Sequence, residues 1–231
     1  MPVQCVTFDL DDTLWAIGPV IASADNLFFQ WVRTHHPRVF EVSSEEEIKS
    51  ERQAYYQNRP ELHHDLWRLR RNWMSDLVLR AGYPEANMEE AFRIFWRERN
   101  NVTFYENAVS VLEATNREFS TGAITNGNAD LDEIGISSYF NFFLTSAEIG
   151  VCKPDPAIFE AAIDQANCNP ENIVHVGDDP ERDVRGAARM GMRTIWINTT
   201  GQDWEGEYPP DVSIPGISLL PQALEKIRLQ A

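Results

Sequence analysis

Near its start the chain runs Val6-Thr7-Phe8-Asp9-Leu10-Asp11-Asp12-Thr13-Leu14, an apolar and β-branched stretch that leads straight into three acids. Asp9 and Asp11 are spaced i and i+2, so in an extended chain they point to the same side. Carboxylates this close repel one another and need a cation between them or a proton on one of them. A hard divalent ion such as Mg²⁺ suits an all-oxygen cluster. One carboxylate can then attack phosphorus to give an aspartyl-phosphate. The other can protonate the leaving alkoxide and later take a proton from the hydrolytic water. Alone, an Asp-x-Asp pair at a strand end reads more readily as a solvated turn, so the pattern needs company.

Three further clusters supply it. Gly177-Asp178-Asp179-Pro180-Glu181-Arg182-Asp183 follows the apolar run Ile173–Val176. Gly177 allows close backbone approach, and Asp178 is placed to ligate the same ion as Asp9. Asp179 and Asp183 suit contacts to that ion through water or through its ligands. Aspartates also favour helix N-caps, and Asp183 is the stronger candidate for a cap alone. Thr125, Asn126 and Gly127 end another apolar run. A hydroxyl with exposed backbone N–H groups there makes a cradle for phosphate oxygens. Lys153 is the only lysine between Lys49 and Lys226. Placed before a helix, it is suited to neutralise both the attacking carboxylate and a transferring phosphoryl group.

The elements that must position these residues change character along the chain. From about Val20 to Asn100 the sequence reads as successive helices: Ala24–Val32, a second capped by Ser43 or Ser44 with Glu46 or Glu47 three residues on, Asp65–Ala81 closed by Gly82, and Asn87–Arg99. From Glu106 onward helices and strands alternate. Helix Glu106–Glu118 precedes strand Gly122–Thr125, and a short helix near Ala129–Ile134 precedes strand Phe142–Thr145. Helix Pro156–Ala166, strand Ile173–Val176, helix Asp183–Met190, strand Thr194–Ile197 and a terminal helix Pro221–Leu229 follow. Strands separated by helices indicate a parallel sheet covered on both faces. The expected fold is therefore α/β, a Rossmann-like core of residues 1–14 and 101–231, with an all-helical cap of residues 15–100 inserted after the first strand. Sites in such sheets form beyond the carboxyl ends of the strands, where the acids, Thr125 and Asp178 all lie.

Composition narrows the partners. An apolar fraction of 43% supplies a buried core, and the formal net charge of −16 disfavours nucleic acid and anionic membranes. Leu14 to Thr103 holds 12 Lys and Arg against 13 Asp and Glu, whereas the rest holds 8 against 23. The acidic excess thus travels with the candidate metal site. No run approaches a membrane span, and no signal-peptide pattern precedes Asp9. Cys5, Cys152 and Cys168 are odd in number and lack CxxC spacing, which fits free thiols in a reducing cytoplasm. Walker A, HExxH, a serine elbow and GxGxxG are all absent.

The four motifs, Asp9-Leu10-Asp11-Asp12-Thr13, Thr125, Lys153 and Gly177-Asp178 through Asp183, resemble in order and spacing the haloacid dehalogenase superfamily of phosphohydrolases. The helical segment after the first motif is similar to the cap of the subgroup with an α-helical lid at that point. The resemblance implies Asp9 as nucleophile, Asp11 as general acid and base, and Mg²⁺ held by Asp9, Asp178 and the backbone carbonyl of Asp11. It implies that Thr125, Asn126 and Lys153 bind phosphate. Dehalogenase members of the superfamily attack carbon and protonate no alkoxide, so they are expected to lack the acids at Asp11 and Asp178. This chain has both, which favours a phosphatase. A mutase needs a second phosphoryl site in the cap, for which no feature stands out.

Phe8–Leu14, Ile124–Ala129 and His175–Asp179, with His64-Asp65, look like the bacterial flavin mononucleotide phosphatases, which also act on the ribitylaminouracil phosphate of riboflavin synthesis. Pyrimidine 5′-nucleotidase and sugar-phosphate phosphatase activities remain open beside them. The partner expected is a small phosphate ester. In His63–Trp73, Leu66, Leu69 and Trp73 recur at helical spacing as core, which puts the arginines on the solvated face. Arginine and tryptophan there could also meet a planar base or a second anion.

Overall fold

A computed structural model describes residues 2–84 and 88–229. The chain divides into two compact units, Met1–Ala16 with Thr103–Ala231, and Ile17–Val102. After β1 (Cys5–Phe8) the chain leaves the first unit and builds the whole of the second from α1 (Ile17–His35), α2 (Val39–Val42), α3 (Glu45–Gln57), α4 (Leu66–Arg80) and α5 (Glu89–Arg99).

Local chemistry sets several of these boundaries. The Ser44 hydroxyl accepts from the Glu47 N–H at 3.3 Å, and the Glu47 carboxylate accepts from the Ser44 N–H at 2.7 Å, a reciprocal capping box at the start of α3. Asp65 accepts from the Arg68 N–H at 2.9 Å and starts α4. Gly82, with φ of 80°, follows its last turn in the left-handed conformation that a glycine adopts without strain. Asn87, where the fourth helix was expected to begin, lies outside the described residues. Phe28, Phe29, Trp73, Met74, Leu77 and Phe95 make up the centre of this unit. Burial of each such aromatic contributes about 1.5–3 kcal/mol. One sequence expectation fails here. Arg68 and Arg71 are exposed, but Arg70 is buried, because it occupies the same stripe as Trp73, Met74 and Leu77 at i+3, i+4 and i+7.

The first unit resumes with α6 (Ala108–Glu118), β2 (Ser120–Thr125), α7 (Leu131–Ile134), β3 (Phe142–Thr145), α8 (Ser146–Ile149), α9 (Pro156–Ala166), β4 (Ile173–Gly177), α10 (Gly186–Arg189), β5 (Arg193–Ile197), β6 (Val212–Ile214) and α11 (Leu220–Leu229). Its six strands form one parallel sheet in the order β3-β2-β1-β4-β5-β6. This is the α/β Rossmann-like architecture. β1 and β4 are buried along their whole length, as central strands covered on both faces must be. β6, three residues in the Gly- and Pro-rich tail, is too short to show a period and was not anticipated. The expected helix Asp183–Met190 is replaced by a π-helical turn, Pro180–Arg185, followed by the short α10. Among the described residues no helix is long and apolar enough to cross a membrane.

Strand order determines which residues meet. The chain runs from β1 outward to β2 and β3, then crosses back to place β4 on the other side of β1. That reversal is a topological switch point, where loops leave the sheet in opposite directions and open a crevice. Phe8 pairs with Ala123 on one side and Val176 on the other. Asp9 is therefore level with Ile124 and Gly177, one residue from Thr125 and Asp178.

Candidate active site

Asp9 continues the β1 ladder by one bond, its N–H donating to the Val176 carbonyl at 2.8 Å. Its carboxylate is buried and receives the Lys153 ammonium at 2.6 Å. The same Nζ donates to Asp183 Oδ1 at 2.6 Å and to the Ile124 carbonyl at 2.8 Å, so all three of its hydrogens have acceptors. Lys153 is 3% exposed. Burial works against its charge, but Asp183 and Asp9 overcome that and raise its pKa, so it stays an ammonium.

Asn126 holds the lysine in place. Its side chain donates to the Lys153 carbonyl at 2.9 Å and accepts from the Lys153 N–H at 2.7 Å, a two-point clamp between the end of β2 and the turn before α9. The Thr125 hydroxyl is buried and accepts from the Gly127 N–H at 2.9 Å, which leaves its own hydrogen to donate.

The acids after β4 divide their work differently from the sequence expectation. Asp179, not Asp183, is the cap: its carboxylate accepts from the N–H groups of Glu181 at 2.9 Å and Arg182 at 2.8 Å. Asp183 is buried in the π-helical turn. Besides Lys153 it accepts from the Asp179 N–H at 3.1 Å and lies 3.3 Å from His175 Nε2. Burial would raise its pKa, yet Lys153 and His175 pull it below the ordinary carboxylate range. Gly177 makes the arrangement possible, since a Cβ there would sit 2.4 Å from the Asp183 carboxyl carbon.

His175 was missed as a site residue. A single polar side chain in the apolar strand Ile173-Val174-His175-Val176 was the available signal. Burial lowers its pKa and keeps it neutral. With Nε2–H directed at Asp183, Nδ1 accepts from the Thr7 hydroxyl at 2.9 Å.

Asp9, Asp178 and Asp183 each offer an oxygen within 4.8 Å of the others. The Thr13 hydroxyl donates to Asp178 at 3.2 Å, and the Trp196 indole N–H donates to the Asp178 backbone carbonyl at 2.8 Å. Burial, with Asp183 and Asp12 nearby, pushes Asp178 up to about 7. Burial also raises Asp9, against the pull of Lys153. One ammonium therefore does not balance these carboxylates, and an all-oxygen cluster with an excess of negative charge fits a hard divalent cation. Both oxygens of Asp183 are already engaged, so Asp9 and Asp178 are the better direct ligands. Asp11 lies in the turn beyond β1, beside Asp12 with φ of 62°, and its carboxylate accepts from the Trp15 indole N–H at 2.9 Å.

A buried carboxylate aligned on a fixed ammonium thus lies beside further acids at the switch point of the sheet. The chain belongs to the haloacid dehalogenase-like hydrolase family, whose model matches residues 3–191. Among that family's members it groups with phosphatases. It is 31% identical over 226 residues to 5-amino-6-(5-phospho-D-ribitylamino)uracil phosphatase YigB of Escherichia coli K12, covering 94% of each chain. It is 32% identical to glyceraldehyde 3-phosphate phosphatase of Methanopyrus kandleri, covering 91% of each. A solved structure of a 2-haloacid dehalogenase from Pseudomonas syringae pv. tomato DC3000 is also similar, with a TM-score of 0.89, 35% identity, and coverage of 99% of this chain and 100% of that one.

Proposed function

We propose that the protein is a Mg²⁺-dependent phosphomonoester hydrolase of small metabolites, working through an aspartyl-phosphate on Asp9. The observation that carries this reading is the contact of Lys153 Nζ with Asp9 Oδ1 at 2.6 Å, with the ammonium itself held by Asp183 and Ile124. A nucleophile is activated by being fixed in place, and Lys153 holds Asp9 while opposing the burial that raises its pKa.

Asp9 attacks phosphorus as the bond to the leaving oxygen breaks, and the Asp11 carboxyl gives that oxygen its proton. Trp15 keeps Asp11 in one orientation through the indole N–H. In the second half Asp11, now a carboxylate, takes a proton from water as it attacks the phosphoenzyme, and Asp9 is released. The Thr125 hydroxyl donates to a phosphoryl oxygen, and Lys153, held by Asn126, sets its positive charge beside the phosphoryl group. Mg²⁺, held by Asp9, Asp178 and the Asp11 backbone carbonyl, would neutralise charge on the phosphoryl group. Asp179 and Asp183 act on the ligand set from behind, one by capping the turn and the other by holding Lys153. Free cysteines fit a cytoplasmic setting.

Riboflavin-pathway phosphates, flavin mononucleotide among them, head the substrate candidates because of the likeness to YigB. Sugar-phosphate and pyrimidine-nucleotide activities are the alternatives, each represented among the relatives. A dehalogenase reading has the Pseudomonas structure behind it. Against it, a halide leaves without a proton, so carbon chemistry has no use for an acid at Asp11.

Asp9→Asn is expected to lower turnover of an aryl phosphate by about four orders of magnitude or more while leaving the thermal midpoint nearly unchanged. Acid-quenched wild type should carry phosphate on the peptide containing Asp9. Retained activity in Asp9→Asn, or undiminished activity in excess EDTA, would sink the mechanism. Metal-free halide release from 2-chloropropionate would establish the rival.

A further inference from the structure

β4 is apolar along its length except at His175, which is 1% exposed. Burying an imidazole inside a parallel sheet costs free energy unless both ring nitrogens find partners. Both do. The register sets Thr7 of β1 beside His175, and the Thr7 hydroxyl lies 2.9 Å from Nδ1. On the other side Nε2 lies 3.3 Å from Asp183 Oδ1. An ionised carboxylate only accepts, so Nε2 must carry the hydrogen, and Nδ1 then accepts from Thr7. The two neighbours thus leave the ring one tautomer.

The ring is also fixed in place. Phe159 of α9 packs edge-on against it, with centroids 5.6 Å apart and an interplanar angle of 87°. Phe159 is itself closely approached by Gly186, where a Cβ would come within 2.6 Å of the phenyl ring. A histidine so enclosed is a directional donor without net charge, since burial lowers its pKa.

That donor meets the oxygen on which the lysine depends. Asp183 Oδ1 accepts from Lys153 Nζ at 2.6 Å as well as from His175, whereas Oδ2 accepts from the Asp179 N–H at 3.1 Å. Held at Oδ2 alone, the carboxylate could turn about its Cβ–Cγ bond and carry Oδ1 away from its place. His175 removes that freedom. Being neutral, the ring does so without competing with Lys153 for the charge of Asp183. The same ammonium reaches Asp9 at 2.6 Å. A shift of Oδ1 is therefore passed to the attacking carboxylate through a single atom, Nζ.

We propose that His175 is a positioning residue of the hydrolase: with its tautomer set by Thr7, it fixes the Asp183 oxygen that aims the Lys153 ammonium at Asp9. The assignment rests on the hydrolase reading and deepens it, extending the site from Lys153 through Asp183 to a residue inside the sheet.

Hydrolysis of an aryl phosphate with Mg²⁺ gives the first test. His175→Leu should lower kcat about ten-fold with KM within about two-fold, as expected for loss of one hydrogen bond to a charged group. His175→Gln can place an N–H where Nε2 stood and should recover kcat to within about three-fold of wild type. Thr7→Val removes the hydroxyl that sets the tautomer and should lower kcat about three-fold, and it carries the test if His175→Leu does not fold. A Gln variant as slow as the Leu variant, a loss expressed in KM, or an undiminished kcat in Thr7→Val overturns the proposal.

NMR of protein labelled with ¹⁵N at lysine separates this from failure of the hydrolase reading, because it needs no turnover. The chain has three lysines, of which Lys49 and Lys226 are exposed, so only the Lys153 ammonium should exchange slowly enough to give an Nζ–Hζ cross-peak. That cross-peak should be present in wild type and His175→Gln and lost or broadened in His175→Leu and Thr7→Val. An unchanged cross-peak in those last two, or none in wild type, overturns the proposal even if the protein hydrolyses phosphate esters. The expected pattern in a wild type that turns nothing over upholds the positioning of Lys153 by His175 and sinks the hydrolase reading alone.

Discussion

Lys153 and Arg70 are both buried cations, one in each unit, and their surroundings differ in almost every respect. Lys153 spends its three N–H groups on Asp9, Asp183 and the Ile124 carbonyl. Arg70 stacks its guanidinium 4.2 Å from the centre of the Phe95 ring, and its Nε and Nη1 have no hydrogen-bond partner. Burial raises the case against charge at both. At Lys153 two carboxylates answer it and the pKa goes up. At Arg70 it goes down, because burial, with Arg52 and Arg99 pushing the same way, outweighs the pull of Tyr56 and Asp25. The contrast separates a charge that the fold is organised to hold from one that the fold merely tolerates. Only the first has a two-point backbone clamp, a capped π-helical turn and a required glycine arranged around it.

Lys153→Met should break the comparison hardest. It leaves Asp9 and Asp183 facing each other across a buried space with no counter-ion, and removing one member of a buried pair costs about 3–5 kcal/mol. Thermal unfolding in EDTA should show that loss, and aryl phosphatase activity should vanish. A stability change below about 1 kcal/mol would mean that the three contacts to Nζ are not what holds this region together.

The helical unit has its own buried pair, and it should respond next. Arg52 grips Asp25 through two bonds of 2.5 and 2.7 Å. Their side chains are 18% and 9% exposed, so the pair is less desolvated than Lys153 with Asp183. Arg52→Met leaves Asp25 with the nearby Arg70 as partial compensation. A loss of about 2 kcal/mol is expected, read as a drop of about 4–8 °C in the thermal midpoint of the whole chain. An unchanged transition would show that Arg70 takes over Asp25 completely.

How much of this was visible in the sequence follows the range of the interactions. β1 and β4 announced themselves as continuous apolar runs, because parallel strands are buried on both faces. The acids at their ends stood out for the same reason. The capping box at Ser44 and Glu47 is local and was readable to within a residue. The roles of Asp179 and Asp183 were not, because both are aspartates near a helix start. What separates them is a lysine 30 residues earlier in the chain, together with a glycine that leaves room for one carboxyl and not the other. His175 and Arg70 were readable in principle. Each is a polar residue where the strand or helix period demands an apolar one, a signal that the apolar or charged neighbours mask.

Arg70→Met gives the smallest effect and the sharpest contrast, being the same change as Lys153→Met made in the other unit. Methionine keeps most of the apolar stem against Trp67 and Phe95 and removes the head group. What is lost is the stacking of the cation on Phe95, worth about 0.5–2 kcal/mol. What is relieved is the burial of two N–H donors without acceptors, about 1–3 kcal/mol for each group so left. Repulsion from Arg52 and Arg99 also disappears, and Asp25 keeps Arg52. Loss of the attraction to Tyr56 and Asp25 offsets much of that relief, so the balance is toward greater stability, by about 1 kcal/mol. Chemical denaturation of the two methionine variants in parallel reads the difference directly. If Arg70→Met costs as much as Lys153→Met, then Arg70 holds a carboxylate as tightly as Lys153 does, and the two units bury charge by the same rule after all.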